Sequence, residues 1–317
     1  DSNNKFWIGT SKGINFLAND SIYAFEHNDK FEYPSIHSMI ETKDKGIIIG
    51  TWKGIYIYQN DKMDSLKTFG TDSIGVVYCL KQDSRNNVWF GTHYGIGRYD
   101  GKNVERFEMK GNTGQNIIES IEEDRNGNMW FATRGGGVFV YDGYKFKNIN
   151  DKNGLSSNGL FSVFKDTNDV MWVGGGGLNK YTEGFFHLST RHGLVHDVVF
   201  PIVEDQRGDM WFGTEGGLSH YYSKTKKVVN YTTEDGLTAN GITSILETKS
   251  GEIWVTTQSG LNKLVNGKFI QHPKYKETEL WTLTEGENGE IWIGGSFGLV
   301  KERRLNESLY QSFSDSS

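Results

Sequence analysis

The chain has 317 residues and a net charge of −6, with Lys and Arg scattered among Asp and Glu, so it carries no basic footprint for nucleic acid or an anionic membrane. No stretch approaches the roughly 20 apolar residues of a membrane-spanning helix. Forty glycines, three prolines and 14% aromatic residues fit many short strands joined by tight turns.

From Lys5 onward one phrase returns eight times: KFWIGTSKGI at Lys5, GIIIGTWKGI at Gly46, NVWFGTHYGI at Asn87, NMWFATRGGGV at Asn128, VMWVGGGGL at Val170, DMWFGTEGGL at Asp209, EIWVTTQSGL at Glu252 and EIWIGGSFGL at Glu290. Its tryptophan column is Trp7, Ile48 in place of Trp, Trp89, Trp130, Trp172, Trp211, Trp254 and Trp292, in steps of 41, 41, 41, 42, 39, 43 and 38 residues. Regular repetition at that period predicts units that stack into one body rather than separate domains. Each unit divides into four strand-like segments, A to D.

Segment A carries an apolar position (Ile36, Val77, Ile118, Leu160, Val199, Ile242, Leu280) and, two residues on, a small one (Ser38, Cys79, Ser120, Ser162, Pro201, Ser244, Thr282). A small column inside an apolar strand implies close approach of neighbouring backbones, as in the innermost strand of a radial array. Cys79 belongs to this column and reads as a small core residue; with no second cysteine there is no internal disulfide. Segment B holds the tryptophan, expected to pack between sheets, and a following Gly expected to admit the next unit's indole. Segment C closes on hairpin signals, Asp100-Gly101, Asp142-Gly143 and Asn266-Gly267, suited to two-residue type I′ turns. Segment D reads as an outer edge strand.

Four antiparallel strands at a period near 41 residues predict an all-β fold, a β-propeller of four-stranded antiparallel blades forming one domain over residues 1–317. Segments B, C and D occur eight times and segment A seven times, so we expect eight blades with an incomplete first blade, seven being the alternative. The missing strand suggests a piece of a longer chain. No signal peptide is read, which implies a cytosolic or already processed chain.

The repeat resembles the two-component regulator propeller. The resemblance rests on the Asn-x-[Ile/Val] opening of segment A, the Glu-Asp-x-x-Gly-x-[Met/Leu/Ile]-Trp-[Phe/Ile]-Gly-Thr centre, and the linkers Asn153-Gly154-Leu155-Ser156-Ser157-Asn158 and Asp235-Gly236-Leu237-Thr238-Ala239-Asn240. It covers practically the whole chain. The resemblance implies a periplasmic or extracellular, non-catalytic sensor of hybrid histidine kinases, many from gut Bacteroidetes, which detect oligosaccharides. The implied partners are an oligosaccharide, a neighbouring propeller or immunoglobulin-like domain of a longer chain, and a second copy in a homodimer. Neither nucleic acid nor membrane contact is expected of this chain, and no cofactor or metal. Two other readings stand beside it, a structural or protein-docking propeller and a polysaccharide lyase. Against the lyase, His93-Tyr94 and His220-Tyr221 are adjacent in sequence and expected to point to opposite faces.

Candidate site residues lie where the copies disagree, because packing cannot require Trp in one blade and Glu in the next. The B-to-C tips supply Trp52, Lys53, His93, Tyr94, Arg134, Glu215, Gln258 and Phe297; the D-to-A linkers add Tyr33, His37, His192 and His196 on the same face. Exposed aromatics beside charged donors suit sugars, whose C–H faces stack on rings while hydroxyls or carboxylates take hydrogen bonds. The linker asparagines Asn116, Asn158 and Asn240 are expected to cap turns. His192 and His196 form a weak metal signal with no third ligand. Trp281, in segment A, is expected to pack near the axis.

Overall fold

The computed structural model describes residues 1–2, 5–18, 21–109, 117–182, 184–287, 289–296 and 298–302. Strand A spans Ile36–Glu41, Val77–Gln82, Ile118–Glu123, Leu160–Lys165, Val199–Glu204, Ile242–Glu247 and Leu280–Glu285 in blades 2 to 8. Strand B spans Phe6–Thr10, Ile47–Thr51, Val88–Thr92, Met129–Thr133, Met171–Gly175, Met210–Thr214, Ile253–Thr257 and Ile291–Gly295 in blades 1 to 8. Strands C and D follow by hairpins, giving antiparallel sheets ordered A-B-C-D in blades 2 to 7, B-C-D in blade 1 and, among the described residues, A-B-C in blade 8. The fold class is an eight-blade β-propeller with an incomplete first blade, since strands Phe6–Thr10, Gly13–Ala18 and Ser21–Ala24 form a three-stranded blade sheet of their own. The chain divides into two compact units, Asp1–Val173 with Tyr181–Phe185, and Gly174–Lys180 with Phe186–Ser317.

Strand B is buried on both faces in blades 2 to 7, which is why it reads as an unbroken apolar run rather than an alternation. Its indoles fill the space between sheets within each unit. In the first unit Trp89 meets Phe131 and Tyr141 of the next blade, each at 5.4 Å between ring centres. In the second, Trp211 packs with Ile242, Ile245 and Val255. The small column of strand A lies opposite the glycine of strand B, as in Ser38↔Gly50 and Cys79↔Gly91. A Cβ on Gly91 would stand 2.5 Å from Ile118 and 2.6 Å from the Cys79 sulfur, and one on Gly50 would stand 2.8 Å from Val77. The room beside the tryptophan therefore takes the next blade's aliphatic side chain, not its indole as the sequence suggested. Ile118 and Val77 open strand A, so the two inner strands close onto one another there.

The turn between strands A and B is stapled by one aspartate. Asp83 Oδ1 accepts the backbone N–H of Arg85 (2.9 Å) and Asn87 (2.8 Å), while Oδ2 accepts Asn87 Nδ2 and the Trp89 indole N–H, both at 2.8 Å. Asp124, Asp166 and Asp205 repeat the indole bond to Trp130, Trp172 and Trp211 at 3.0, 2.9 and 3.1 Å. The aspartate thus ties the turn to the packing ring six residues on. Blade 7 solves the same problem differently: Thr248 Oγ1 accepts the Glu252 N–H at 3.0 Å, and Glu252 accepts the Trp254 indole at 3.3 Å.

Of the three expected type I′ turns, Asn266-Gly267 is one, with φ of 50° and 81°. Asp100 and Asp142 instead head four-residue loops, their carboxylates accepting the N–H groups two and three residues on. A fourth tight turn, Asn60-Asp61 at φ 51° and 57°, has no glycine and so escapes the pattern.

Candidate ligand-binding face

Two devices hold the variable residues. The first is the threonine that ends strand B. Its Oγ1 donates to the carbonyl of the turn glycine and accepts the N–H of a tip residue, as Thr51 does with Gly54 (3.0 Å) and Lys53 (3.1 Å), and Thr92 with Gly95 and Tyr94, both at 2.9 Å. The first tip residue then donates its backbone N–H to the residue just before strand A. Arg134, Glu215, Gln258 and Ser296 bond Ile117, Val198, Gly241 and Glu279 at 3.0, 3.3, 3.1 and 3.2 Å. Tips and linkers therefore share one end of each of these blades, as the sequence implied.

The second device is a β-bulge near the start of strand A, with register shifts at Ile36/Ser38, Val77/Cys79, Ile118/Ser120, Val199/Ile202, Ile242/Ser244 and Leu280/Thr282. A bulge leaves one residue out of the ladder and re-aims its side chain. The residues so released include His37, Tyr78, Glu119, Thr243 and Trp281, a varied column. In the sequence these residues align with Phe161 and Phe200 as one column expected to pack near the axis; a chemically inconstant residue between an apolar position and a small one is instead the mark of the bulge.

In the first unit tip and bulge residues meet. Trp52, 54% exposed, lies 5.9 Å from the His37 ring, which lies 5.9 Å from Tyr78. Desolvation in this aromatic company lowers the His37 pKa below the usual imidazole value, so the ring is neutral at pH 7. Lys53 pairs with Glu32 and stands 5.3 Å over the Tyr33 ring, while Lys67 takes the other Glu32 oxygen at 3.0 Å. Hydrogen bonds from Lys53 and then Lys67 hold the Glu32 carboxyl below its usual range. Tyr94 covers Gly75, where a Cβ would come within 2.8 Å of the ring, and touches His93 edge-on at 5.6 Å. That pair sits on a turn, not a strand, so strand alternation does not separate it. Arg134 Nε donates to the bulge carboxylate of Glu119 at 2.6 Å.

In the second unit the candidates are more dispersed. His196 lies against Gly216 and its Nδ1 accepts the Val198 N–H at 3.1 Å. His192 Nδ1 bonds Ser189 Oγ at 2.9 Å and its ring lies 5.8 Å from Phe186, which ties it into its own linker. Glu215 is exposed, and the Gln258 amide covers Gly241. Phe297 and Asn116 lie outside the described residues. Asn158 and Asn240 do cap turns, accepting the N–H of Asp151 (2.8 Å) and Thr233 (2.9 Å). Trp281 departs from expectation: it is 55% exposed, because the bulge turns it out of the packed ladder.

The family model of the two-component regulator propeller matches residues 72–94, 112–135, 193–216 and 236–259. Each match runs from a linker through strand A, the turn and strand B to the tip, the segment that holds both devices. No curated protein matches the chain. Among solved structures, the extracellular domain assigned to the hybrid two-component system BT3049 of B. thetaiotaomicron is 21% identical with a TM-score of 0.62, over 93% of this chain and 49% of that one. This chain thus spans about half the length of that domain. Virginiamycin B lyase from Staphylococcus aureus is 16% identical with a TM-score of 0.60, over 84% and 93% of the two chains. The computationally designed protein Ika8 is 16% identical with a TM-score of 0.69, over 94% and 92%. At these identities the structures share the fold, and the family match adds that four of this chain's repeats are two-component regulator propeller repeats.

Proposed function

We propose that the chain is a non-catalytic, extracytoplasmic sensor propeller that recognises an oligosaccharide through the tips and bulge residues of blades 2 to 4. The observation that carries this reading is the cluster of exposed Trp52 with His37 and Tyr78, followed on the next blade by the Arg134–Glu119 pair. Flat rings offer stacking area for sugar C–H faces, and the guanidinium–carboxylate pair offers donors and acceptors for hydroxyls. A neutral His37 can accept as well as donate. Support for a sensor comes from the family of the repeats and from the B. thetaiotaomicron domain, which belongs to a two-component system. Signalling would pass to parts of a longer protein, through a shifted arrangement of a neighbouring propeller, an immunoglobulin-like domain or a second copy.

Calorimetry against neutral and uronic-acid oligosaccharides tests the proposal. We expect at least one binder, weakened about tenfold or more by Trp52→Ala, equivalent to about 1.4 kcal/mol. Arg134→Ala should weaken acidic ligands more than neutral ones. Stability should hardly change, because an exposed ion pair contributes under about 1 kcal/mol. A ligand whose affinity ignores both substitutions would place recognition elsewhere, and a panel without any binder would favour a protein-docking role.

A further inference from the structure

At the other end of strand B, blade 6 departs from its neighbours in a way that packing does not explain. The strand C residue paired with the tryptophan is Arg98 in blade 3, Lys263 in blade 7 and Lys301 in blade 8. Each holds a cation over the indole, at 5.4, 5.3 and 5.6 Å. In blade 7 the ammonium also bonds Glu252 at 2.7 Å, and in blade 8 it lies 3.7 Å from Glu290. Blades 7 and 8 thus keep a place for positive charge between the indole and a carboxylate two residues before it.

Blade 6 retains the carboxylate as Asp209 and the indole as Trp211, but the cation carrier is replaced by His220. The imidazole stacks on Trp211 at 3.7 Å with an 11° tilt, and the Tyr222 ring lies 4.1 Å away at 39°. Its side chain is 3% exposed, those of Asp205 and Asp209 are 0% and 13% exposed, and Nε2 finds no hydrogen-bond partner among the described residues. That atom points at Asp205 Oδ2, 3.7 Å away, and Asp209 Oδ2, 4.0 Å away, and one donor atom from each of the three residues lies within 4.8 Å of the others. Asp205 Oδ2 also accepts the Trp211 indole N–H (3.1 Å) and an Arg207 N–H (3.4 Å); Asp209 Oδ1 accepts the Ser223 N–H at 2.8 Å, which leaves Oδ2 facing the imidazole.

We propose that Asp205, Asp209 and His220 bind a divalent cation of the Zn²⁺ class, which takes the place of the ammonium found in blades 7 and 8. Two carboxylates served, among the described residues, by one exposed guanidinium, Arg207 on Asp205, call for further positive charge, and an imidazole nitrogen among the donors selects Zn²⁺ and its transition-metal relatives over Mg²⁺ or Ca²⁺. An ion at the centre of the three donors lies roughly 2.5 Å from each, and small side-chain rotations close that to the ~2.0–2.2 Å of Zn²⁺ sites. The site precedes strand B of blade 6, whereas the tip residues of that blade follow it, so the two lie at opposite ends of the strand. It acts as a fastener of blade 6.

The test uses the full chain, freed of metal by chelation, with ZnCl₂, MgCl₂ and CaCl₂ as probes. We expect one Zn²⁺ per chain by calorimetry, a melting midpoint that climbs with the logarithm of Zn²⁺ concentration, and little response to Mg²⁺ or Ca²⁺. Co²⁺ should give visible d–d absorption that Zn²⁺ displaces. His220→Lys installs the blade 7 arrangement, so it should abolish the Zn²⁺ response while melting no lower than the metal-free parent. Asp209→Asn should weaken binding at least tenfold, and His192→Ala/His196→Ala should leave it intact. Stoichiometric binding that survives both His220→Lys and Asp209→Asn, or the absence of binding at micromolar Zn²⁺, overturns the proposal.

Discussion

Replacing Asp83 tests the claim that one carboxylate couples the A-to-B turn to the packing tryptophan. Asp83→Ala removes an acceptor from four N–H groups, two of them backbone amides in the turn, which water can reach. Water cannot replace it at the Trp89 indole, which is 1% exposed, so that donor is left unpaired at a cost of about 1–3 kcal/mol. With the lost charge-assisted bonds the total should reach about 3–4 kcal/mol, the range for breaking a buried network. Asp83→Thr restores a backbone acceptor but not the indole's, and should cost about 2 kcal/mol. Adding Asn87→Glu copies the arrangement of Thr248, Glu252 and Trp254, and should recover about 1 kcal/mol or more. Urea unfolding, with amide exchange of Val88–Thr92 as the local readout, measures all three. Asp83→Ala within about 0.5 kcal/mol of the parent, or no recovery by Asn87→Glu, would show that the turn and the ring are held independently.

Burial lowers the His220 pKa to about 4, against an unfolded value near 6.5. The unfolded chain then binds the extra proton, so metal-free protein should be fully stable above about pH 6.5 and lose roughly 3 kcal/mol as pH falls toward 4, with His220→Lys removing most of that slope. Burial lowers the His272 pKa as well, which adds loss of the same sign. Burial pushes the Cys79 thiol up to about 12, so iodoacetamide at pH 8 should alkylate the folded chain at least ~10-fold slower than the urea-unfolded chain. Gly54→Ala puts a Cβ 2.2 Å from the Leu66 carbonyl at φ +93° and should cost above ~3 kcal/mol, whereas Gly70→Ala meets nothing within 4 Å and should cost only about 1 kcal/mol for its left-handed backbone.

The blades were legible because their causes are local and repeated. Strand B must be apolar on both faces, strand A must be small where two inner strands meet, and each turn needs a left-handed residue; eight copies average away accidents. What escaped involved partners several residues apart in sequence or a count of one residue. The bond from Asp83 to the Trp89 indole spans six positions and looks, in sequence, like an ordinary turn aspartate. The bulge that frees His37 and Trp281 adds a residue to one strand without changing its composition, so Trp281 read as packing. Asn60-Asp61 shows the converse, a tight turn whose residues carry no glycine to announce it.

Departures from the repeat mean different things at the two ends of strand B. After the strand, Thr51 and Thr92 fix the backbone of a tip through their own hydroxyls, so the tip side chains are free to be Trp52 or Tyr94 without loss of the turn. Variation there costs the fold little and can be spent on a ligand. Before the strand, the residue two positions ahead of the buried indole changes together with the strand C residue that faces it: Glu252 with Lys263 in blade 7, Asp209 with His220 in blade 6. The first pair closes on itself as an ammonium–carboxylate bond. The second leaves a buried imidazole nitrogen facing two carboxylates, with the exposed Arg207 guanidinium reaching only Asp205, at 3.4 Å. It follows that the oligosaccharide and metal proposals rest on separate residues and fail separately: His220→Lys should leave glycan affinity unchanged, and Trp52→Ala should leave Zn²⁺ binding unchanged.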